Sequence, residues 1–280
     1  MNFFEQEIVS LHLKNLRLIE DVSSGLQSVQ LYEHCQLGKT LIINNEIQHI
    51  EKWTPFYHEA IVHIPSMFLF EVKKVLILGG GDLFAAAEVL KYNSVEKVVL
   101  CDYDQNVIDL TSKYYIHGKR VLTDKRFHLT IENAELYLQK CQEKYDLIID
   151  DCFNLVQYFN DNKIFFLLKD KLSKNGVCCS LIYRHIFDYD TMQKTFNRLI
   201  KNQKTILSLV TVPEYPGIFH LLTIWGKSKN LDQNMQCSLN KEHQNQINPR
   251  CQLFNSNFCK FYLYLPPYIK NLIRTFQNDV

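Results

Sequence analysis

The stretch VLILGGGDLFAAAEVLKYNSVEKVVLCDYD, Val75 to Asp104, decides how the chain is read. Val75 to Leu78 is a short apolar run, and Gly79-Gly80-Gly81-Asp82 follows it directly. A helix-like segment from Leu83 to Tyr92 comes next, then a β-branched run from Val95 to Leu100 that closes on Cys101-Asp102. The order is strand, tight turn, helix, strand. Glycines at such a turn let the backbone bend sharply, and the helix behind them offers unpaired N–H groups to a ligand. An acidic residue about 20 positions further on, at the end of the second strand, is placed to accept hydrogen bonds from ribose hydroxyls. Asp102 is that residue. Phe84 and Ala85 stand where a dinucleotide site wants a third glycine, so the reading is an adenosine-type nucleoside rather than NAD. The bland alternative is a glycine turn that binds nothing.

Outward from this unit, 280 residues can bury a full α/β core with room for a small second domain. Thirty-one basic against thirty acidic residues leave no basic excess, which argues against nucleic acid or an anionic membrane as partner. The first ten residues, MNFFEQEIVS, carry acids where a leader carries lysines, and no apolar run reaches the roughly 18 residues of a membrane span. The expected location is cytoplasmic. Nine cysteines are odd in number and scattered, with Cys178 and Cys179 adjacent and no C-x-x-C, so reduced thiols are expected and a zinc site is not.

Residues 8 to 50 alternate in segments: Ser10 to Leu16, Leu26 to Tyr32, Thr40 to Ile43, the turn Asn44-Asn45, and Glu46 to Ile50. This predicts a small antiparallel sheet, as a subdomain, an extension of the main sheet or an oligomer interface. The division expected is an N-terminal β-domain over 1–52 and the main α/β domain over 53–280. A helix is predicted from Trp53 through Tyr57 and His58 to about Ile64, ended by Pro65. After Asp102 the pattern alternates. Helices are expected over Asn106–Tyr115, Glu135–Cys141, Ile164–Leu172 and Thr191–Ile200. Strands are expected over Phe127–Ile131, Tyr145–Ile149, Val177–Tyr183, Thr205–Val212 and His220–Trp225. Such alternation predicts an α/β fold with a mostly parallel sheet, its last strands an antiparallel hairpin. Lys227 to Gln252 reads as a polar loop, and a short helix is expected from Pro267 to Phe276. Asp82, Asp102, Asn133, Asp151 and Tyr215 all fall at or just past strand ends, where α/β ligands bind.

With these residues assembled, the sequence resembles the spermidine synthase family, the polyamine aminopropyltransferases, along nearly its whole length. The likeness rests on an ordered series: Glu46-Ile47-Gln48, Phe56-Tyr57-His58-Glu59, Gly79-Gly80-Gly81-Asp82, Ser94 to Val99 leading to Asp102, Tyr145 to Ile149 leading to Asp151, Pro213-Glu214-Tyr215-Pro216-Gly217, and Phe254-Asn255-Ser256. The resemblance implies a Rossmann-like methyltransferase-type domain behind a small N-terminal antiparallel β-domain, in a homodimer or homotetramer. It implies transfer of an aminopropyl group from decarboxylated S-adenosylmethionine to putrescine, with no cofactor beyond that co-substrate and no metal. By position, Gly79, Gly80, Gln27 and Gln48 would bound the nucleoside, Asp102 would hold the ribose, and Asn133 stands where the family has an aspartate for the adenine amino group. Asp82 would hold the amine of the donor arm. Asp151 would be the general base, with Tyr57 and Tyr215 orienting the acceptor, and His58 and Asn154 beside it.

An aspartate at 82 also argues against a methyl donor, whose arm keeps a carboxylate that Asp82 would repel. An S-adenosylmethionine-dependent N-methyltransferase and a non-catalytic nucleoside-binding homologue are the competing readings. The family's Asp-Ser-Ser-Asp-Pro-x-Gly-Pro is replaced by Asp151-Cys152-Phe153-Asn154-Leu155-Val156-Gln157, so the second carboxylate is lost at Asn154. Leu83-Phe84 stands where the family usually has two more glycines, which predicts a narrower pocket floor. Asp150 is expected on the face opposite Asp151, Cys152 as a stand-in for serine, and His58 as a support for Tyr57.

Overall fold

The computed structural model describes residues 11, 13–23, 25–152, 163–185, 204–216, 218–232 and 237–271. Four antiparallel strands in chain order make the first sheet: β1 (Arg17–Ser23), β2 (Ser28–His34), β3 (Gly38–Ile43) and β4 (Glu46–Ile50). Asn44 and Asn45 take φ of 50° and 66°, the left-handed pair that a two-residue hairpin turn requires and that asparagine tolerates. The described part of the strand expected over Ser10–Leu16 is not extended. Among its described residues none is extended in a ladder, Asn15 turns left-handed at φ 60°, and pairing starts only at Arg17, opposite Glu33.

The second sheet holds β5 (Lys74–Leu78), β6 (Lys97–Asp102), β7 (Phe127–Ile131), β8 (Tyr145–Asp150), β9 (Leu172–His185), β10 (Thr205–Val210) and β11 (Ile218–Gly226). Their order is β10-β11-β9-β8-β5-β6-β7. Pairing from β9 across to β7 is parallel, while β11 runs antiparallel to both β9 and β10. The predicted hairpin is present, with its second strand inserted inside the first. Helices α1 (Thr54–Ser66), α2 (Phe84–Val89), α3 (Gln105–Tyr114), α4 (Ile116–Thr123), α5 (Ala134–Lys140) and α6 (Lys163–Lys171) cover the faces.

Central strands of a sheet covered on both faces read as unbroken apolar runs, and alternation divides them between two cores. Val75, Ile77, Leu147 and Ile149 join Ile61 and Val89 on one side; Leu76, Leu78 and Ile148 join Leu138, Phe165 and Trp225 on the other. Each fully buried side chain of this size contributes about 1.5–3 kcal/mol, so a one-residue slip, which would exchange the two sets, is strongly disfavoured.

Two further expectations are corrected. The helix predicted to run to Leu172 ends at Lys171, because Leu172 already pairs with Tyr145; Ser173 to Gly176 then loop out before Val177 pairs with Leu147. Lys227 to Gln252 is not a bare loop. It contains a 3₁₀ turn at Lys229–Asp232 and a helix at Lys241–Ile247 capped by Asn240, whose side chain accepts from His243 N at 2.9 Å. Leu231, Leu239 and Ile247 anchor this segment in the core, a signal its polar composition masks. Of the expected terminal helix, residues 267–271 are helical; the rest, and Thr191–Ile200, lie outside the described residues.

Among the described residues no helix is long and apolar enough to cross a membrane. The strand order reverses at β5: the chain passes to β6 and β7 on one side and returns to β8 on the other. That switch opens a crevice at the strand C-termini, the usual ligand position in such sheets.

Candidate active site

Three loops meet over this crevice, after β5, β6 and β8. Gly79 and Gly80 take φ of 78° and 74°, and a Cβ at Gly79 would stand 2.8 Å from Cys152 Cβ and 3.0 Å from the Asp151 carbonyl oxygen. A Cβ at Gly81 would meet Asp102 Oδ2 at 2.9 Å. The glycines are therefore set by the close approach of neighbouring loops as well as by backbone angle. Leu83, at the start of α2, is also left-handed at φ 64°, an uncommon conformation for a fully buried leucine.

Asp82 lies at the centre. Its Oδ1 accepts from Phe84 N at 3.0 Å; its Oδ2 lies 3.2 Å from His58 Nε2 and 3.3 Å from His49 Nδ1. His117 Nε2 donates to the Asp82 carbonyl oxygen at 2.9 Å. Although burial opposes it, the two imidazoles hold the Asp82 carboxyl well below the usual carboxylate range. For His58, burial alone would lower the pKa; the Asp82 carboxylate outweighs it and raises the ring to about 9. Burial keeps His117 below its ordinary value. His58 thus supports Asp82, where the sequence reading gave it to Tyr57, whose ring it meets only edge-on at 5.1 Å.

Phe84 packs among these rings, stacked on His117 at 3.7 Å and edge-on to His49 at 5.0 Å and Tyr115 at 5.6 Å. His49, Tyr115 and His117 were not singled out from sequence. For His49 a signal existed: β4 alternates, so the residue after an outward Gln48 points inward.

Asp151 follows β8, and the Tyr57 hydroxyl donates to its Oδ1. Burial, then the Asp82 charge, raise Asp151 to about 7, against the lowering effect of Tyr57 and His58. Burial and the adjacent Asp151 charge push the Tyr57 phenol well up. Asp102 ends β6, accepts from Asp104 N at 2.9 Å, and is raised by burial. Gln27 Oε1 accepts from the hydroxyl of Tyr103, Asp102's neighbour, at 2.8 Å. Gln48 is exposed, its amide reaching the Glu46 carbonyl at 3.4 Å.

Asn133 caps α5, its Oδ1 accepting from Glu135 N at 3.0 Å and Leu136 N at 3.2 Å. Tyr215 lies on the β10–β11 connection, its ring 5.5 Å from that of His220. Beside it, buried Glu214 accepts from Ile50 N at 3.1 Å, tying this connection to β4. Asn154 lies outside the described residues. The Cys152 thiol is pushed well above its ordinary range by the protein mass around its sulfur and by Asp150, Asp151 and Asp102, which does not suit a nucleophile.

His63, Glu88 and Cys251 bring ligand-type atoms within 4.8 Å of one another elsewhere in the fold. Two of the three are already used: His63 bonds Tyr92 OH and Glu88, and Glu88 also pairs with Lys91.

A doubly wound sheet with a glycine turn at its switch point and carboxylates at the C-terminal ends of β5, β6 and β8 defines an α/β protein of the ligand-binding, switch-point class. The family model for the spermine/spermidine synthase domain matches residues 54–235. The chain is 34% identical over 210 residues to a polyamine aminopropyltransferase from Archaeoglobus fulgidus, covering 72% of this chain and 73% of that one. It is 33% identical over 189 residues to thermospermine synthase ACAULIS5 of Arabidopsis thaliana, covering 62% of this chain and 56% of that protein's length. With putrescine N-methyltransferase 2 of Nicotiana attenuata it shares 28% identity over 275 residues, 94% of this chain and 74% of the other. The crystal structure of spermidine synthase from Thermotoga maritima superposes with a TM-score of 0.79 at 26% identity, covering 92% of this chain and 88% of that one. The chain belongs to the spermine/spermidine synthase family.

Proposed function

We propose that the protein transfers an aminopropyl group from decarboxylated S-adenosylmethionine to putrescine, giving spermidine and 5′-methylthioadenosine. The observation that carries this reading is a part-buried carboxylate raised to about 7, Asp151, held by Tyr57 one strand away from a second, Asp82, that is held well below the usual range. A primary alkylamine resembles a lysine side chain and arrives protonated, with a pKa of about 10. It attacks only as the neutral amine. Handing its proton to a carboxylate at the ordinary value crosses about 6 pK units, and to Asp151 about 3, which removes about 4 kcal/mol from the step.

Tyr57 and Tyr215 orient the acceptor, with His58 beside it. Asp82 takes the donor-arm amine, Asp102 the ribose, and Gly79, Gly80, Gln27 and Gln48 bound the nucleoside. Asn133 has given both lone pairs of its oxygen to the α5 cap, so its NH₂ is the group offered to adenine, toward a ring nitrogen. The sulfonium leaves without a metal or further cofactor. The assembly proposed is a cytoplasmic homodimer or homotetramer of two-domain chains, divided near residue 52.

N-methyl transfer from S-adenosylmethionine is the second reading, favoured by the likeness to the Nicotiana enzyme along 94% of the chain and opposed by the Asp82 charge. Product analysis decides. Purified protein is incubated with either donor and a panel of putrescine, cadaverine, agmatine and spermidine. Methylthioadenosine with aminopropylated putrescine is expected; another amine consumed reassigns the acceptor, a methylated amine supports the second reading, and no turnover refutes both.

A further inference from the structure

His58 faces an acceptor at each end. Its Nδ1 lies 2.9 Å from the Thr54 carbonyl oxygen, one turn back along α1, and its Nε2 lies 3.2 Å from Asp82 Oδ2. A carbonyl oxygen and an ionised carboxylate both only accept, so both ring nitrogens carry hydrogen and the ring is an imidazolium. Its side chain is 5% exposed and lies between the Tyr57 and Phe84 rings, 5.1 Å from each, so it is not free to turn away.

The other imidazoles around Asp82 are held differently. The Tyr115 hydroxyl lies 2.9 Å from His49 Nε2, and His49 Nδ1, 3.3 Å from Asp82 Oδ2, is not aligned for a hydrogen bond. His117 uses one N–H, toward the Asp82 carbonyl oxygen. The remaining charges that bear on His58 are negative: Asp151 at the end of β8 and Glu214 on the β10–β11 connection. Among the described residues no lysine or arginine pairs with Asp82. His58 is thus the cationic partner that bears most strongly on the Asp82 charge.

We propose that His58 is an exchangeable counter-ion for Asp82: when a cationic amine on the donor arm takes the carboxylate, His58 gives up its Nε2 proton, and donor binding and proton release become one event. The Nε2–H bond breaks, the proton passes to buffer, and the ring is left as the neutral Nδ1–H tautomer that keeps its bond to Thr54. Charge at the carboxylate is conserved. Two cations sharing one buried carboxylate repel each other, whereas removing a proton held at about 9 is only about a tenfold penalty at pH 8. A donor arm that also carries a carboxylate gives the imidazolium a new partner and removes the reason to discharge it. His58 therefore reads the charge of the arm. The inference deepens the proposed function and rests on the donor assigned there.

The test is calorimetric titration of the full chain at pH 8 in phosphate and in Tris, whose different ionisation heats count protons. The ligands are decarboxylated S-adenosylmethionine and 5′-methylthioadenosine, which keeps the nucleoside and lacks the amine. Close to one proton released per donor is expected, and fewer than about 0.2 for methylthioadenosine; the donor should bind about tenfold tighter at pH 8.5 than at 7.5, with methylthioadenosine nearly flat. In His58→Gln the donor's proton release should fall below about 0.2. Equal counts for the two ligands, or an unchanged count in a folded His58→Gln, overturns the exchange, and the wild-type comparison decides if the variant does not fold. Donor bound without proton release overturns the exchange alone. Methylthioadenosine bound while the donor is refused overturns the donor assignment as well.

Discussion

The Tyr57 hydroxyl donates to Asp151 Oδ1, joining the first turn of α1 to the end of β8. This bond lowers the Asp151 pKa, while burial and the Asp82 charge raise it, and the balance falls at about 7. As the proposed base, Asp151 acts only when ionised, above that value. kcat/KM should therefore drop about tenfold for each pH unit below 7. Tyr57→Phe removes the lowering contribution, so the acid limb should move to higher pH and kcat/KM at pH 7 should fall by about 10- to 100-fold. Paired pH–rate profiles check both.

The same carboxylate costs the fold stability. Its folded pKa of about 7 lies above the ordinary value of 3.8, so the charged form is disfavoured in the native state. That penalty is fully present above pH 7 and shrinks as pH falls toward 3.8. Asp151→Asn should stabilise the protein by about 4 kcal/mol at pH 8, by less than half as much at pH 5, and should abolish turnover. Denaturant titrations at the two pH values measure it.

In the proposed function Asp82 is the charge that separates the two donors. Asp82→Ala should weaken binding of decarboxylated S-adenosylmethionine by about 100-fold and of S-adenosylmethionine by less than about 5-fold. Equal losses, measured by calorimetry, would remove the argument against methyl transfer.

At Leu83 two effects oppose each other. Glycine would relieve a left-handed backbone worth about 1–2 kcal/mol, yet emptying a fully buried leucine site costs about 2–5 kcal/mol. Leu83→Gly should therefore destabilise by about 1–3 kcal/mol. Leu83→Ala keeps the strain and loses the packing, so it should be the worse of the two. Urea midpoints of the pair give the order.

Glu214→Ala would leave Ile50 N without its acceptor in a buried position, a loss of about 1–3 kcal/mol. Burial already raises the Glu214 carboxyl. Glu214→Gln keeps the acceptor oxygen without the charge and should stay within about 0.5 kcal/mol of the wild-type protein, measured by thermal unfolding at pH 7.

The fold was legible because its central strands state their environment twice. Val75–Leu78 and Leu147–Ile149 read as strands from composition, and the turn after the first carries glycines that nothing larger could replace. Asp82, Asp102 and Asp151 were found by the same rule, as polar residues past strand ends. What was missed depends on contacts between distant segments. The clasp on Asp82 draws His49 from β4, His58 from α1 and His117 from α4, and no local pattern marks three histidines as neighbours. Asn133 was located by spacing, but its capping bonds appear only with the backbone in place. The helix at Lys241–Ile247 was hidden because its burial rests on a few apolar residues within a polar run.

The insertion of β11 between β9 and β10 also fixes an order of assembly. Among the described residues β10 pairs with β11 and with no other strand, so Thr205–Val210 has nothing to bond until Ile218–Gly226 exists. During synthesis the open edge is that of β9, and it is covered only when Trp225 and its neighbours have left the ribosome and wedged into place. The connection that carries Glu214 and Tyr215 is delivered by that same late step. A nascent chain halted before residue 218 would hold its glycine turn and its first three carboxylates, yet would lack one wall of the crevice and expose an unpaired strand. Completion of the site is thereby tied to completion of the sheet.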